Sequence, residues 1–222
     1  MRTKMGSPKS TPHFQDLLLR YSQYVGEDRG EQIERELWAN FGTISSVLVV
    51  DMSGYSRCVR DYGVVHYLSM IRRLQLTIQP IVENFRGTIV GFFADNADAR
   101  FDSPVDAIQA CIALNLALDS ANIMTRGECD VHVSCGIDHG ECLIPNKSQM
   151  FGNPVIRASK LGEDLGMPGQ ILVTKEAMEC VPSQSGFFHE PINVELAGKC
   201  IEVHSIDYRR ADTASQCLMH GT

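Results

Sequence analysis

Two aspartates carry the chemistry this sequence could do. Asp51 closes the apolar run of "SSVLVVDMSGYS", and Asp95 stands in the turn of "GTIVGFFADNADARF". Each lies where a buried strand gives way to a loop. Carboxylates at neighbouring strand ends suit a hard cation such as Mg²⁺, which is held by one or two carboxylates and by substrate phosphates. Aspartate also ends strands for purely structural reasons, so the residues alone leave both readings open. The same hairpin has two further oddities. Gly91 interrupts its apolar first strand, and Asp98 and Arg100 share one face of its second. The charged pair reads as an exposed ion pair, worth about 0–1 kcal/mol. The other reading is a changed interface, with Arg100 neutralising a carboxylate.

The elements that position these residues follow from periodicity. "VVHYLSMIRRLQLTIQPIVENF" has a helical pattern, with Pro80 expected to kink or divide it. "SPVDAIQACIALNLALDSAN" is a second helix, with Ser103 as N-cap, Pro104 in the first turn and Asp106 favouring the N-terminal dipole. "DVHVSCGIDHGECLI" reads as a strand, a turn near "DHG" and another strand. "NPVIRASKLGEDLG" is a third helix ending at Gly166. Its acidic "GEDLG" reads as a helix end rather than a catalytic pair, and "GMPGQ" as a turn. "GQILVT", a short helix "KEAMECV" and a strand pair around "AGK" complete the chain. Strands alternating with helices, with hairpins among them, predict an α/β sandwich.

Ahead of this unit, "HFQDLLLRYSQYV" and "EQIERELWANFG" read as helices, separated by a break at "GEDRG". Ile33, Leu37 and Trp38 share one face, which packs on the domain or serves dimerisation and signal relay. The organisation expected is a disordered start (1–12), a helical extension (13–42), one large domain (43–210) and a frayed tail (211–222).

Composition narrows the function classes. The 222 residues carry a formal net charge of −7, which argues against nonspecific nucleic-acid binding. None of the eight cysteines forms a CxxC pair, so reduced, buried cysteines and a cytoplasmic setting are expected. His132, His139, His189 and His204 show no metal-ligand spacing and read as structural. No apolar run is long enough to span a bilayer, and the start has no signal-peptide core.

From about Val47 to Tyr208, three quarters of the chain, the motifs resemble the catalytic domain of class III adenylate/guanylate cyclases. "VLVVDMSGYS" is similar to the first metal motif and "GTIVGFFADNADARFDSPVDAIQA" to the second. "FGNPVIRASKLGEDLGMPGQILVT" resembles the segment that supplies transition-state groups, and "VELAGKCIEVHSID" the terminal hairpin. The resemblance implies a ferredoxin-like α/β core, with a mixed, mostly antiparallel sheet covered by helices. It implies a head-to-tail homodimer, or a heterodimer with another cyclase chain, with sites at the interface. It places two Mg²⁺ or Mn²⁺ ions on Asp51 and Asp95. A nucleoside triphosphate would cyclise there through its 3′-hydroxyl and release pyrophosphate. It assigns substrate contacts to Met52, Gly54, Tyr55 and Gln149, and a phosphate-facing cation to Lys160.

The sequence departs from that family at several of these positions. Gly91 stands where a lysine usually reads the base. Gln149, at the partner position, can still donate and accept hydrogen bonds, though an ordinary loop glutamine fits equally. Ile156 replaces the asparagine that orients the ribose. Lys160 replaces an arginine, keeping the charge but losing the planar fork. Arg157 is out of phase with that position by about 100° of helix turn. Three functions are thus expected in order. The first is a degraded cyclase domain kept for nucleotide, metal or partner binding. The second is a working cyclase with altered base choice, and the third a ligand-free dimerisation module.

Overall fold

β1 (Gly42–Met52) is the strand on which the other elements assemble. Its Val47, Leu48, Val49, Val50 and Met52 are all buried, as a continuous apolar run covered on both faces requires. The computed structural model describes residues 10–23, 27–196 and 198–210. Most of the expected disordered start, the whole expected tail and part of the "AGK" turn lie outside the described residues.

Two helices lead in, α1 (Thr11–Gln23) and α2 (Glu27–Phe41). After β1 come α3 (Tyr55–Tyr62), α4 (Val64–Asn84), the hairpin of β2 (Thr88–Phe93) and β3 (Asn96–Phe101), and α5 (Pro104–Asn122). Then follow β4 (Val133–Asn146), β5 (Gln149–Phe151) and α6 (Asn153–Ser159), which runs into a π-helical turn (Lys160–Leu165). β6 (Ile171–Thr174), α7 (Lys175–Glu179), β7 (His189–Leu196) and β8 (Lys199–Ile206) complete the fold.

The sheet order is β2-β3-β1-β4-β6-β8-β7, with β5 paired to β4. β4 and β6 run parallel and the other pairs antiparallel. This is the mixed, mostly antiparallel sheet that the sequence predicts. One face carries the main core: Leu48 and Val50 of β1 meet Tyr67, Leu74 and Ile78 of α4 and Ile108 and Leu114 of α5. Each such side chain contributes about 1.5–3 kcal/mol on burial. α5 begins as expected. The Ser103 hydroxyl accepts from the Val105 N–H at 3.2 Å. Asp106 does more than favour the dipole: it is buried and takes the Arg86 guanidinium, whose Nε lies 3.1 Å away.

The other face is covered by α6 and the π-helical turn, which approach to backbone contact. A Cβ built on Gly136 of β4 would lie 2.1 Å from the Ala158 carbonyl oxygen and 2.5 Å from the Gly162 nitrogen. One on Gly162 would lie 2.9 Å from the Val49 carbonyl oxygen. The Ser134 hydroxyl donates to the Gly162 carbonyl at 2.7 Å, which supplies a partner where the widened helix loosens its own ladder.

α1 and α2 pack on the domain. Phe14, Leu17, Ile33, Leu37 and Phe41 form one buried cluster with Leu143 of β4. Trp38 is only half-buried.

Four expectations change. "DHG" does not turn: β4 continues through it, pairing His139 with Ser46 and Gly140 with Ser45. The Ser46 hydroxyl also bonds the His139 ring at 2.8 Å, so pairing to the long β1 overrides the local turn signal. Pro80 does not divide α4. It lies on the exposed side near the helix end, where water can take the carbonyl it frees. The "GEDRG" break lies in part outside the described residues, and the helix runs through Gly30. Of the cysteines, Cys111, Cys135 and Cys142 are buried and free, but Cys180 and Cys200 are exposed, on the short α7 end and the β7–β8 edge.

The backbone contact yields a direct test. Gly136→Ala places a methyl group against main chain that cannot rotate away. Overpacking costs about 1–3 kcal/mol, occasionally more. Gly136→Ala is expected at or beyond the top of that range, read by urea denaturation. A loss below about 1 kcal/mol would mean that the two layers can separate.

Candidate functional site

Asp51 and Asp95 are brought together by the edge of the sheet. β1 pairs with β3 so that Asp51 lies opposite Asn96, the residue after Asp95. The Met52 N–H then donates to the Asp95 carbonyl at 3.3 Å. The hairpin turn is held by Ala94, whose φ of 53° is the left-handed conformation. Both carboxylates therefore sit at the same end of neighbouring strands.

Carboxylates dominate the electrostatics at this corner, with Lys160 a minor cationic influence on Glu163. Burial, then the charges of Asp95 and Glu163, push the Asp51 carboxyl up to about 6. Burial, then Glu163, pushes Asp98 up to about 6. Glu163 is itself raised by burial and by Asp164, against a hydrogen bond from Asn96 that lowers it. Burial and mutual repulsion thus leave these half-buried carboxylates short of positive charge.

The donor set fits a hard divalent cation. It consists of oxygens only, at one strand end, and the Asn96 side-chain oxygen nearby is buried without a hydrogen-bond partner. Among the described residues no group of three or more His, Cys, Asp and Glu side chains forms a ready cage. Two carboxylates completed by phosphate oxygens do not require one.

The other sequence-predicted positions are distributed differently. The Met52 side chain is buried in the main core and its N–H is taken by Asp95, so it offers a substrate little beyond its carbonyl. Gly54, with φ 96°, begins α3 in a conformation that favours glycine. The Tyr55 side chain lies outside the described part of the structure. Gln149 is exposed on β5 and accepts from Asn146 Nδ2 at 2.7 Å. Ile156 is 60% exposed. The Lys160 ammonium is paired with Asp164 at 2.7 Å, one turn along.

Arg157 has a structural partner instead. Its Nε donates to Asp138 at 2.6 Å and its Nη1 to Glu176 at 3.0 Å. Asp138 is fully buried, and burial raises its carboxyl despite Thr174, Arg157 and the His139 N–H. This guanidinium holds α6 to β4 and α7.

The charged pair of the hairpin is a correction. Asp98 is half-buried, and Arg100 Nε is buried without a hydrogen-bond partner. Among the described residues no ion pair joins Arg100 to Asp98 or to another carboxylate. Asp98 instead stands opposite Gly91 across a bulge in the β2–β3 ladder, so the glycine gap and the acidic residue face the same space. A Cβ on Gly91 would lie 2.8 Å from the Phe93 ring. That ring is 56% exposed and free to move.

Sequence reasoning passed over two neighbours of the site. Glu163 lies in "GEDLG", which reads as a helix end, but the π-helical turn (Lys160–Leu165) brings it within electrostatic reach of Asp51. Tyr67 lies on α4 with its hydroxyl 2.7 Å from Asp95 Oδ2. A tyrosine at a core position of a helix is the one signal that could have found it, because a buried phenol needs a partner.

No family model matches the chain. It is similar in sequence to the putative adenylate cyclase 3 of Rhizobium meliloti (strain 1021), 26% identical over 159 residues. That match covers 68% of this chain and 27% of the relative, so the chain spans about a quarter of the curated relative's length. In structure it is similar to an adenylate/guanylate cyclase/hydrolase from Silicibacter pomeroyi, with TM-score 0.61, 24% identity, and 74% of this chain and 96% of that chain covered. It is also similar to the guanylate cyclase domain of RhGC from Catenaria anguillulae, solved in complex with GTP. There the TM-score is 0.62 at 12% identity, with 73% of this chain and 95% of that chain covered.

Two substitutions check this geometry. Asp98 has its carboxyl raised above the ordinary 3.8 to about 6, so the protonated form is favoured in the fold. The stability this group provides is full below its unfolded pKa and is lost as pH rises through about 6. Asp98→Asn is therefore expected to raise the melting temperature by a few degrees near pH 7.5, with little change near pH 4. Arg157→Ala leaves Asp138 buried without its cation. It is expected to cost about 3–5 kcal/mol in chemical denaturation, far more than an exposed helix arginine.

Proposed function

The chain carries the class III adenylate/guanylate cyclase catalytic-domain fold, and on that premise we propose that it is a degraded member. In this reading residues 43–210 form the domain. It binds a nucleoside triphosphate with Mg²⁺ or Mn²⁺, and turns it over slowly or not at all. The supporting observation is a contrast within one site. The carboxylates at 51 and 95 are adjacent and acidic, while positions 91, 156 and 160 offer no side chain, an aliphatic one and a lysine already paired.

When bound, the cations would activate the ribose 3′-hydroxyl and neutralise the triphosphate. The chain's own residues bear the rest. Asp51 and Asp95 would hold the cations from neighbouring strand ends. The first turn of α3 presents backbone N–H groups after Gly54, suited to phosphate oxygens. No group at 156 orients the ribose. Lys160 reaches phosphate only by leaving Asp164. Loss of one transition-state donor costs about 10²–10³ in rate, and here two such groups are changed together.

Exposed apolar residues near these positions, among them Phe93, Phe151 and Ile156, support a partner chain over this face. A head-to-tail homodimer or a heterodimer with a complete cyclase meets that need. Altered base choice is the second reading, favoured by Asp98 standing opposite Gly91, which has no side chain.

The test incubates the purified protein with ATP, GTP, CTP or UTP plus Mn²⁺ and measures cyclic monophosphate. Little product is expected from the wild type, together with Mn²⁺-dependent nucleotide binding by calorimetry. The triple variant Gly91→Lys, Ile156→Asn, Lys160→Arg is expected to raise product formation at least about 10²-fold. Efficient wild-type turnover, abolished in Asp51→Ala, would favour the working cyclase. Absence of any nucleotide or metal binding would leave the dimerisation module.

A further inference from the structure

The hairpin that carries Asp95 is short and its turn is partly open to solvent, yet the aspartate is held at two points. Its carbonyl accepts from the Met52 N–H at 3.3 Å, and its carboxylate accepts from the Tyr67 hydroxyl at 2.7 Å. Tyr67 comes from the opposite layer. It lies near the start of α4, just after Gly63, whose carbonyl accepts the Tyr67 N–H at 3.3 Å. Its ring is 1% exposed and packs in the main core with Met52, Met70 and Ala97.

A phenol in this position has an apolar ring fixed by packing and a hydroxyl that must find an acceptor. The acceptor is one oxygen of the turn carboxylate. A turn aspartate otherwise samples several side-chain rotamers. A donor anchored in the core removes that freedom. Oδ2 accepts that bond, and the carboxylate keeps lone pairs for a cation. Groups that hydrogen-bond a ligating carboxylate in this manner fix its orientation, and their loss costs about 10–100-fold in metal affinity.

We infer that Tyr67 is a positioning residue for a divalent cation at Asp51 and Asp95, its core-anchored hydroxyl fixing the Asp95 carboxylate in the orientation that binds. This rests on the two-carboxylate reading of the site. It extends that reading to a residue in the core layer and makes the seating of α4 a determinant of how the hairpin binds a cation. Tyr67 touches neither substrate nor reacting atoms, and its action passes through Asp95.

The experiment titrates Mn²⁺ into the full chain without nucleotide and reads free Mn²⁺ by electron paramagnetic resonance. Tyr67→Phe keeps the ring and removes only the hydroxyl. It is expected to weaken Mn²⁺ binding about tenfold, while thermal unfolding confirms that the fold is kept. Asp95→Asn is expected to weaken binding as well. Adding Tyr67→Phe to Asp95→Asn is expected to have little further effect, because the hydroxyl acts through that carboxylate. Tight wild-type binding that Tyr67→Phe leaves within twofold would overturn the role of Tyr67 while the carboxylate site stands. An equal, additive loss in both backgrounds would also overturn it, as an indirect effect of packing. A wild type that binds Mn²⁺ neither alone nor together with GTP would overturn the site and the role of Tyr67 together.

Discussion

Among the glycines of the described residues, Gly136 leaves the least room for a Cβ, and the candidate site depends on that close packing. Gly136 of β4 and Gly162 of the π-helical turn leave no room for a Cβ, so α6 and its continuation lie directly on β1 and β4. Side chains of ordinary size would hold helix and sheet about 10 Å apart. The missing side chains bring Glu163 down over the strand ends that carry Asp51 and Asp95. The Ser134 hydroxyl on the Gly162 carbonyl, 2.7 Å long, fixes the contact from the sheet side.

That closeness has an electrostatic consequence. Carboxylates of β1, β3 and the π-helical turn share a half-buried corner, and burial is the first cause of the rise in Asp51, Asp98 and Glu163. A few residues away the same sheet face holds Asp138, more deeply buried, yet paired with Arg157 and Thr174. The fold gives one buried carboxylate a guanidinium and a hydroxyl partner and leaves the others short of positive charge. Uncompensated carboxylates reduce stability, and under the proposed function a bound cation would offset that cost.

The reach of this corner into the rest of the chain is also physical. Tyr67 ties Asp95 to the core under α4. On the far side of the sheet end, Asn146 donates to both Thr11 of α1 and Gln149 of β5, at 2.9 and 2.7 Å. Phe14 stacks on Phe151 with ring centroids 5.8 Å apart. The helical extension therefore grips the β4–β5 hairpin, in which Gln149 stands. Hydrogen bonds and stacking of this kind couple the positions of the segments they join.

Local pattern carried much of this protein. The apolar run before Asp51, the cap at Ser103 and the alternation of strands and helices fixed the elements and the α/β class. The order and spacing of motifs fixed the resemblance, and with it the expectation that Asp51 and Asp95 meet. What pattern missed was set by contacts distant in sequence. "DHG" reads as a turn until β1 is seen to be long enough to pair through it. Asp98 and Arg100 read as an exposed pair until the layer above them is in place. Glu163 belongs to a helix end in sequence and to the acidic corner in space, because two glycines 26 positions apart bring the backbones together. Sequence by itself determined which residues could ligate and which family they resemble. Only the tertiary structure decided which side chains hold those ligands, because burial and hydrogen-bond partners are properties of packing between layers.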